Sequence, residues 1–247
     1  MSHKDTRECK KEKSVAEGSD AMKVEFAPSL MCMDFLEIRR QMEVLNRRAD
    51  LLHVDIMDGH YCKNLAFSPD LLAAIKGIAQ KPIDVHLMMT EPLDWIKKVA
   101  EAGADYISPH AETINTNAYR VLNLIEETGC KKGVVLNPAT TLESVRHYLN
   151  RIDLLTIMTV DVGFAGQPFI DEMLEKIKQA KQWKTEYGFR YKIQVDGSCN
   201  SKSFQKLYKA GAEVFIVGYS GVFDLDEDLE KGWNKMLEIF ENEIGEA

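Results

Sequence analysis

From Lys23 onward the chain alternates between short apolar runs and longer stretches with apolar residues at helical spacing. The runs are "VEFAPSL", "LLHVDIM", "PIDVHLM", "ADYISPH", "KGVVLN", "DLLTIMTV", "YKIQVD" and "EVFIVG". Each has the length of a strand. Between and after them lie segments 34–48, 68–80, 92–102, 115–128, 141–150, 170–187, 200–210 and 226–243, whose polar faces are rich in Lys and Glu. "AGAD" at 102–105 and "AGAE" at 210–213 each close a helix with a glycine suited to a left-handed cap, then lead into a strand. Eight strand–helix units in a chain of 247 residues predict a single α/β domain, a closed (β/α)8 TIM barrel of ordinary size. A doubly wound open sheet is the competing architecture, but it usually has fewer strands and one ligand crevice. No composition break separates two domains. Residues 1–21 are charged, lack apolar periodicity and lack a signal-peptide core, so they read as a disordered leader or a remnant of cloning. The barrel is expected over 22–247.

Composition narrows the function. Hydrophobic residues make up 45% and charged residues 28%, enough to bury a full core. The net charge of -8 argues against nucleic acid or a membrane surface as partner, since both call for a basic face. No apolar run approaches the roughly 20 residues that cross a bilayer. Five cysteines, Cys9, Cys32, Cys62, Cys130 and Cys199, are scattered without a C-x-x-C spacing. They predict a reducing, cytoplasmic setting and no disulfide framework or thiolate zinc site.

The chemistry starts at "HVDIMDG", residues 53–59. In a strand His53, Asp55 and Met57 share one face and Val54 and Ile56 the other. If the apolar pair packs on helices, the ionisable pair faces the barrel interior near the carboxyl end, where such barrels carry their active sites. The next strand, "DVHLMM", adds His86, with Asp84 two residues back on the same face, and strand seven ends in Asp196. Taken singly, each of these is more often a structural histidine or a helix cap. Two imidazoles and two carboxylates on one rim are different, because unpaired buried charges are costly and one cation relieves all four. Mixed nitrogen and oxygen donors suit one divalent first-row ion, with Zn, Fe(II), Mn or Co favoured over Mg. His110, in "SPHAE", also ends a strand but is read as having no acidic partner two residues away, and is left as a structural or outer-ring histidine.

Glycine-rich turns follow strands six to eight: "VGFAGQPF" with Gly163, Phe164, Ala165 and Gly166, "DGS" with Gly197 and Ser198, and "VGYSG" with Tyr219, Ser220 and Gly221. Barrel phosphates are often held there by loop amides and a short extra helix, so these predict an anion clamp. Met57, Met88 and Met158 end strands around the same mouth and predict an apolar lining that keeps water from a reacting carbon.

"APSLMCMD", "HVDIMDGH", "DVHLMM", "TVDVGFAGQPF" and "VDGSCN" together resemble the ribulose-phosphate 3-epimerase family, in order and along the whole folded chain. "SLMCMD", "HAETINTNAYR" and "VDGSCN" are more similar to its D-allulose 6-phosphate branch than to its pentose branch. The resemblance implies inversion of carbon 3 of a ketose phosphate through an enediolate. It implies a metal on His53, Asp55, His86 and Asp196, with His86 and Asp196 also contacting substrate. Asp55 and Asp196 would be the acid/base pair, and Ser29 would sit near the substrate carbonyl. It also implies a homo-oligomer, dimer or hexamer, and no organic cofactor. D-Allulose 6-phosphate going to D-fructose 6-phosphate is the expected reaction, with D-ribulose 5-phosphate to D-xylulose 5-phosphate as the alternative and a non-catalytic phosphate-binding barrel as a remote one. Three positions depart from the family pattern: Val162 where proline is usual, "YCKN" at 61–64 where an aromatic–Val–Pro–Asn run is usual, and Tyr219 where a smaller residue is usual. Two other chemistries fit less well. A barrel hydrolase would want an H-x-H pair on strand one, and a Schiff-base aldolase a lysine at a strand's carboxyl end; Lys132 and Lys192 lie near strand starts.

Overall fold

The computed structural model describes residues 23–245, so the expected leader at 1–21 lies outside the described residues. Eight strands are present: β1 (Glu25–Pro28), β2 (Leu52–Met57), β3 (Ile83–Met88), β4 (Tyr106–Pro109), β5 (Lys131–Leu136), β6 (Leu154–Met158), β7 (Lys192–Asp196) and β8 (Val214–Val217). All ladders are parallel, in the order β1-β8-β7-β6-β5-β4-β3-β2. Closure comes at the β1–β2 seam, with the bridge from Ser29 to His53 and Asp50 bonded to Phe26 through both its backbone and its carboxylate. This is the (β/α)8 barrel.

The helices are α1 (Ile38–Arg48), α2 (Pro69–Lys76), α3 (Ile96–Glu101), α4 (Ala111–Ile114), α5 (Ala118–Glu127), α6 (Met173–Tyr187), α7 (Phe204–Ala210) and α8 (Leu229–Gly245). Gly103 after α3 and Gly211 after α7 take left-handed backbone, as "AGAD" and "AGAE" predict. The expected helix at 141–150 is instead a 3-10 helix, Leu142–Arg151. Leu142, Val145 and Tyr148 are buried there at a spacing of three, which a three-residue turn stacks on one face. The expected helix at 115–128 is α5, and α4 is an additional turn between β4 and it.

Two-faced burial explains the layering. Outward strand residues such as Val54, Ile56, Val85, Leu87, Leu155, Ile157, Val195 and Phe215 join the helices in one continuous apolar sheath. The amino-terminal end of the interior is plugged by Ala27, Leu51, Leu154 and Val214, with Ile216 packed on them from the level of Asp196. Above that plug the interior is polar: His53, Asp84, Ser108, Thr156 and Gln194 are all fully buried. Lys192 pairs with Glu25 at 2.6 Å, at the end of the barrel where β1 and β7 begin. No helix among the described residues is long and apolar enough to cross a membrane.

Candidate active site

The alternation in β2 turns His53 and Asp55 inward, β3 brings His86, and the last residue of β7 brings Asp196. One donor atom from each of the four lies within 4.8 Å of the others. Asp55 Oδ1 is 3.2 Å from both His53 Nε2 and His86 Nδ1, and Asp196 Oδ2 is 3.7 and 3.5 Å from the same two nitrogens. The cluster is buried, with Asp196 the most open member. Neither inward nitrogen has an aligned hydrogen bond, although both are sealed from water. Two orphaned ring nitrogens facing two carboxylates are the donor set expected for a divalent cation, so the residues fit a metal.

Electrostatics within the cluster are coupled. Burial alone would lower the His53 pKa, but Asp55 and Asp84 beside it hold it well above the ordinary imidazole value. His86 is raised as well, burial being outweighed by Asp196 and Asp55. Burial would raise Asp55, but His53 and His86 hold it far below the usual carboxylate range.

The outer nitrogens of the two rings are anchored. His53 Nδ1 meets Asp84 Oδ2 at 3.0 Å, and Asp84 Oδ1 accepts from Ser108 Oγ at 2.5 Å. His86 Nε2 meets His110 Nε2 at 2.8 Å, and His110 Nδ1 meets Glu112 Oε2 at 3.2 Å. The reading of His110 as lacking an acidic partner is therefore corrected: Glu112 is two residues on, delivered by the turn into α4 instead of by strand alternation. Burial pushes His110 down to about 4. Glu112 would be raised by burial, yet His110 and Thr140 pull it to about 2. Ser29 Oγ donates to Asp55 Oδ2 at 2.8 Å.

A cavity opens above the cluster at the carboxyl ends of the strands. Ser29, Asp55, Met57, Met88, Met158, Gly163, Phe164, Ala165, Gly166, Asp196, Gly197, Ser198, Tyr219 and Ser220 all line it. His53 and His86 are fully buried and do not line it. Gly221 does not line it either; it packs under the Cys199 carbonyl, where a Cβ would come within 2.5 Å. Cys32, Asp161, Gln167 and Cys199 also line the cavity, and their only sequence signal is that each lies within or beside a motif quoted above. Burial, then Asp55, pushes the Cys32 thiol up to about 11, so it is no thiolate at neutral pH. Ser198 is the only non-glycine with positive φ, 51°, among the described residues, and its hydroxyl donates to the Gln167 carbonyl, tying two of the glycine turns together. Such turns present backbone N–H groups to anions.

Two departures from the family pattern meet here. Val162 and Cys62 pack with Met57 and Met88, and Asn64 Nδ2 donates to Gly163 O at 2.8 Å, linking the loop after β2 to the loop after β6. Tyr219 stands at the rim, 56% exposed.

Fold and site together define a (β/α)8 barrel with a buried His/Asp cluster beneath a small-molecule cavity. The chain belongs to the ribulose-phosphate 3-epimerase family, whose model matches residues 25–223. It is 38% identical over 197 residues to the ribulose-phosphate 3-epimerase of Bacillus subtilis, covering 79% of this chain and 90% of that protein. It is 37% identical over 214 residues to the enzyme of that name from Aquifex aeolicus, covering 86% and 95%. Among solved structures, 3-hexulose-6-phosphate synthase from Salmonella typhimurium superposes with a TM-score of 0.66 at 18% identity, covering 89% of this chain and 100% of that one. That likeness speaks for the fold alone. As a member of this family the chain is an isomerase, an epimerase.

Proposed function

We propose that the chain inverts carbon 3 of a ketose phosphate, interconverting D-ribulose 5-phosphate and D-xylulose 5-phosphate, the pentose activity for which its relatives are named. The observation that supports this most is that Asp55 and Asp196, from strands on different sides of the barrel, reach the same cavity beside the orphaned nitrogens of His53 and His86. Inversion beside a carbonyl needs a proton removed from one face and another returned to the opposite face, hence two carboxyl groups of opposite protonation. In this reading one of the pair takes the carbon 3 proton to give an enediolate while the other, protonated, delivers to the far side. Ser29, bonded to Asp55, keeps that carboxylate turned toward the substrate. The methionines at the strand ends exclude water from carbon 3. The turns at Gly197–Ser198 and Tyr219–Ser220 receive the phosphate, with the loop at Gly163–Gly166 across the mouth. His53, Asp55, His86 and Asp196 would hold one divalent ion, Zn, Fe(II), Mn or Co in preference to Mg because half the donors are imidazole. When bound, that ion supplies a Lewis acid for the substrate's carbonyl and hydroxyl oxygens.

A hexose reading, D-allulose 6-phosphate to D-fructose 6-phosphate, is favoured by one observation. "SLMCMD" and "VDGSCN" both reach the cavity, through Cys32 and through Ser198 and Cys199. One extra carbon is worth only about 1–3 kcal/mol of discrimination, so both substrates should turn over. The test is kcat/KM for each ketose phosphate, with solvent deuterium entering carbon 3 followed by NMR. A ratio of tenfold or more toward the pentose supports the main reading, and tenfold toward the hexose replaces it. No exchange at carbon 3 of either sugar overturns both.

A further inference from the structure

His110 and Glu112 lie outside the substrate cavity, yet among the described residues they supply the hydrogen-bonded support behind the outer nitrogen of His86. His86 is fully buried, and its Nε2 has one partner, His110 Nε2, at 2.8 Å. Behind it stands Glu112. Its Oε1 accepts from the Asn137 N–H at 3.0 Å and from the Thr140 hydroxyl, and its Oε2 faces His110 Nδ1 at 3.2 Å.

We infer that His110 and Glu112 are positioning residues, a proton-ordering relay that keeps the Nδ1 lone pair of His86 turned into the cluster. This rests on the metal-binding reading of that cluster. Two nitrogens at hydrogen-bond distance need one donor and one acceptor. An ionised carboxylate only accepts, so His110 carries its proton on Nδ1. Full burial disfavours a second proton on His110, which leaves its Nε2 as the acceptor. His86 Nε2 must then donate. Its inward Nδ1 is thereby the atom with electrons to give, and it is the atom that has no hydrogen bond of its own. His53 reaches the same state more directly, since its Nδ1 faces the Asp84 carboxylate. For His86 the order depends on a carboxylate one imidazole further away.

Glu112→Gln reverses the chain without changing its shape. The amide has one acceptor oxygen, and the backbone N–H of Asn137 cannot turn away, so that oxygen stays with Asn137. The amide NH2 then faces His110 Nδ1, which must become an acceptor. The His110 proton moves to Nε2, His86 Nε2 becomes an acceptor, and the His86 proton moves to Nδ1, into the place a cation would take. His110→Phe instead leaves the Nε2 proton of His86 without a partner.

The experiment has two readouts. The first is competition titration of Zn(II) or Mn(II) against a chelator for the wild type, Glu112→Gln and His110→Phe. The second is 15N NMR of the histidine rings in metal-free protein, which shows the protonated nitrogen of His110. The wild type should bind one equivalent, and both variants should bind about 10- to 100-fold more weakly. The His110 proton should sit on Nδ1 in the wild type and on Nε2 in Glu112→Gln. Unchanged affinity in both variants, or a wild-type His110 protonated on Nε2, overturns the relay. A wild type that takes up no metal overturns the metal reading instead, and the ring spectrum still decides where the His110 proton lies. If Glu112→Gln does not fold, His110→Phe and the wild-type spectrum decide.

Discussion

Asp84 makes the sharpest test of how the interior is held together. It is fully buried, with one oxygen 3.0 Å from His53 Nδ1 and the other 2.5 Å from Ser108 Oγ. Asp84→Ala strands both donors in a place water does not reach. Each unsatisfied buried group costs about 1–3 kcal/mol, so the variant should lose about 2–6 kcal/mol. For a chain of this size that lowers Tm by about 4–24 °C, at about 2–4 °C per kcal/mol. Asp84→Asn keeps the shape: its oxygen still accepts from His53, and the Ser108 hydroxyl can turn to accept from the amide. Only the charge assistance is lost, about 1–2 kcal/mol. Urea unfolding of the wild type, both variants and Asp84→Ala/Ser108→Ala separates these costs. Removing Ser108 Oγ as well should restore part of the loss, since one orphan disappears. A loss under 1 kcal/mol for Asp84→Ala, or equal losses for Asn and Ala, refutes the reasoning.

Asp55→Asn and Asp196→Asn should each lower epimerisation by about 10²–10⁴-fold while far-ultraviolet circular dichroism stays native; a variant keeping most of its turnover would point to a single base. Chelation should abolish activity, and saturation at 100 times Kd should add about 2.7 kcal/mol of stability, a Tm rise of about 5–11 °C. Full turnover in protein shown metal-free by elemental analysis contradicts the cation site. Asp58 accepts the N–H groups of His60, Tyr61 and Thr90, each at 2.8 Å. Slight burial raises its pKa, but those bonds win and hold it below the ordinary value. Its contribution is therefore full above the unfolded pKa of about 4 and fades as pH falls through the lower folded value. The Tm gap between wild type and Asp58→Asn should shrink from pH 6 to pH 3, and a gap that widens with acid reverses the sign.

What could be read from the sequence was whatever one strand's alternation encodes. "HVDIMDG" and "DVHLMM" place His53, Asp55 and His86 on the face opposite Val54, Ile56 and Val85, and the glycine turns after β6, β7 and β8 are local signals. Relations between elements were harder. Strand spacing does not reveal Glu112 as the partner of His110, because α4 turns the chain back so that Glu112 meets the ring. Asp84 was seen on the right face, but its partner is His53, its direct neighbour across the β2–β3 ladder, and no single strand shows that pairing. The 3-10 helix at Leu142–Arg151 hid because Leu142, Val145, Tyr148 and Leu149 also fit an α-helical stripe. The proposed substrate length depends on where the glycine turns stand relative to the cluster, and residue types do not encode that distance.

The division of labour across the barrel wall explains why such a site can exist in a stable chain. Nearly all the apolar burial lies outside the strands, in the sheath shared with the helices, and at the amino-terminal plug. The upper interior adds little to that core. It is filled instead by paired polar groups: Asp84 with Ser108 and His53, Thr156 with Gln194 at 2.6 Å, and His86 with His110. Where these pairings are complete they hold the interior in one arrangement. Apart from Gln194 Nε2, the described interior side-chain nitrogens without an aligned partner are His53 Nε2 and His86 Nδ1, and both face Asp55 and Asp196 at one point. Losing an inward ligand should therefore harm chemistry far more than folding, while losing a supporting group such as Asp84 should harm both. Comparing the stability cost of Asp196→Asn with that of Asp84→Ala tests this ordering: the first should be the smaller by several kcal/mol, because Asp196 supports no other buried donor through an aligned hydrogen bond and Asp84 supports two.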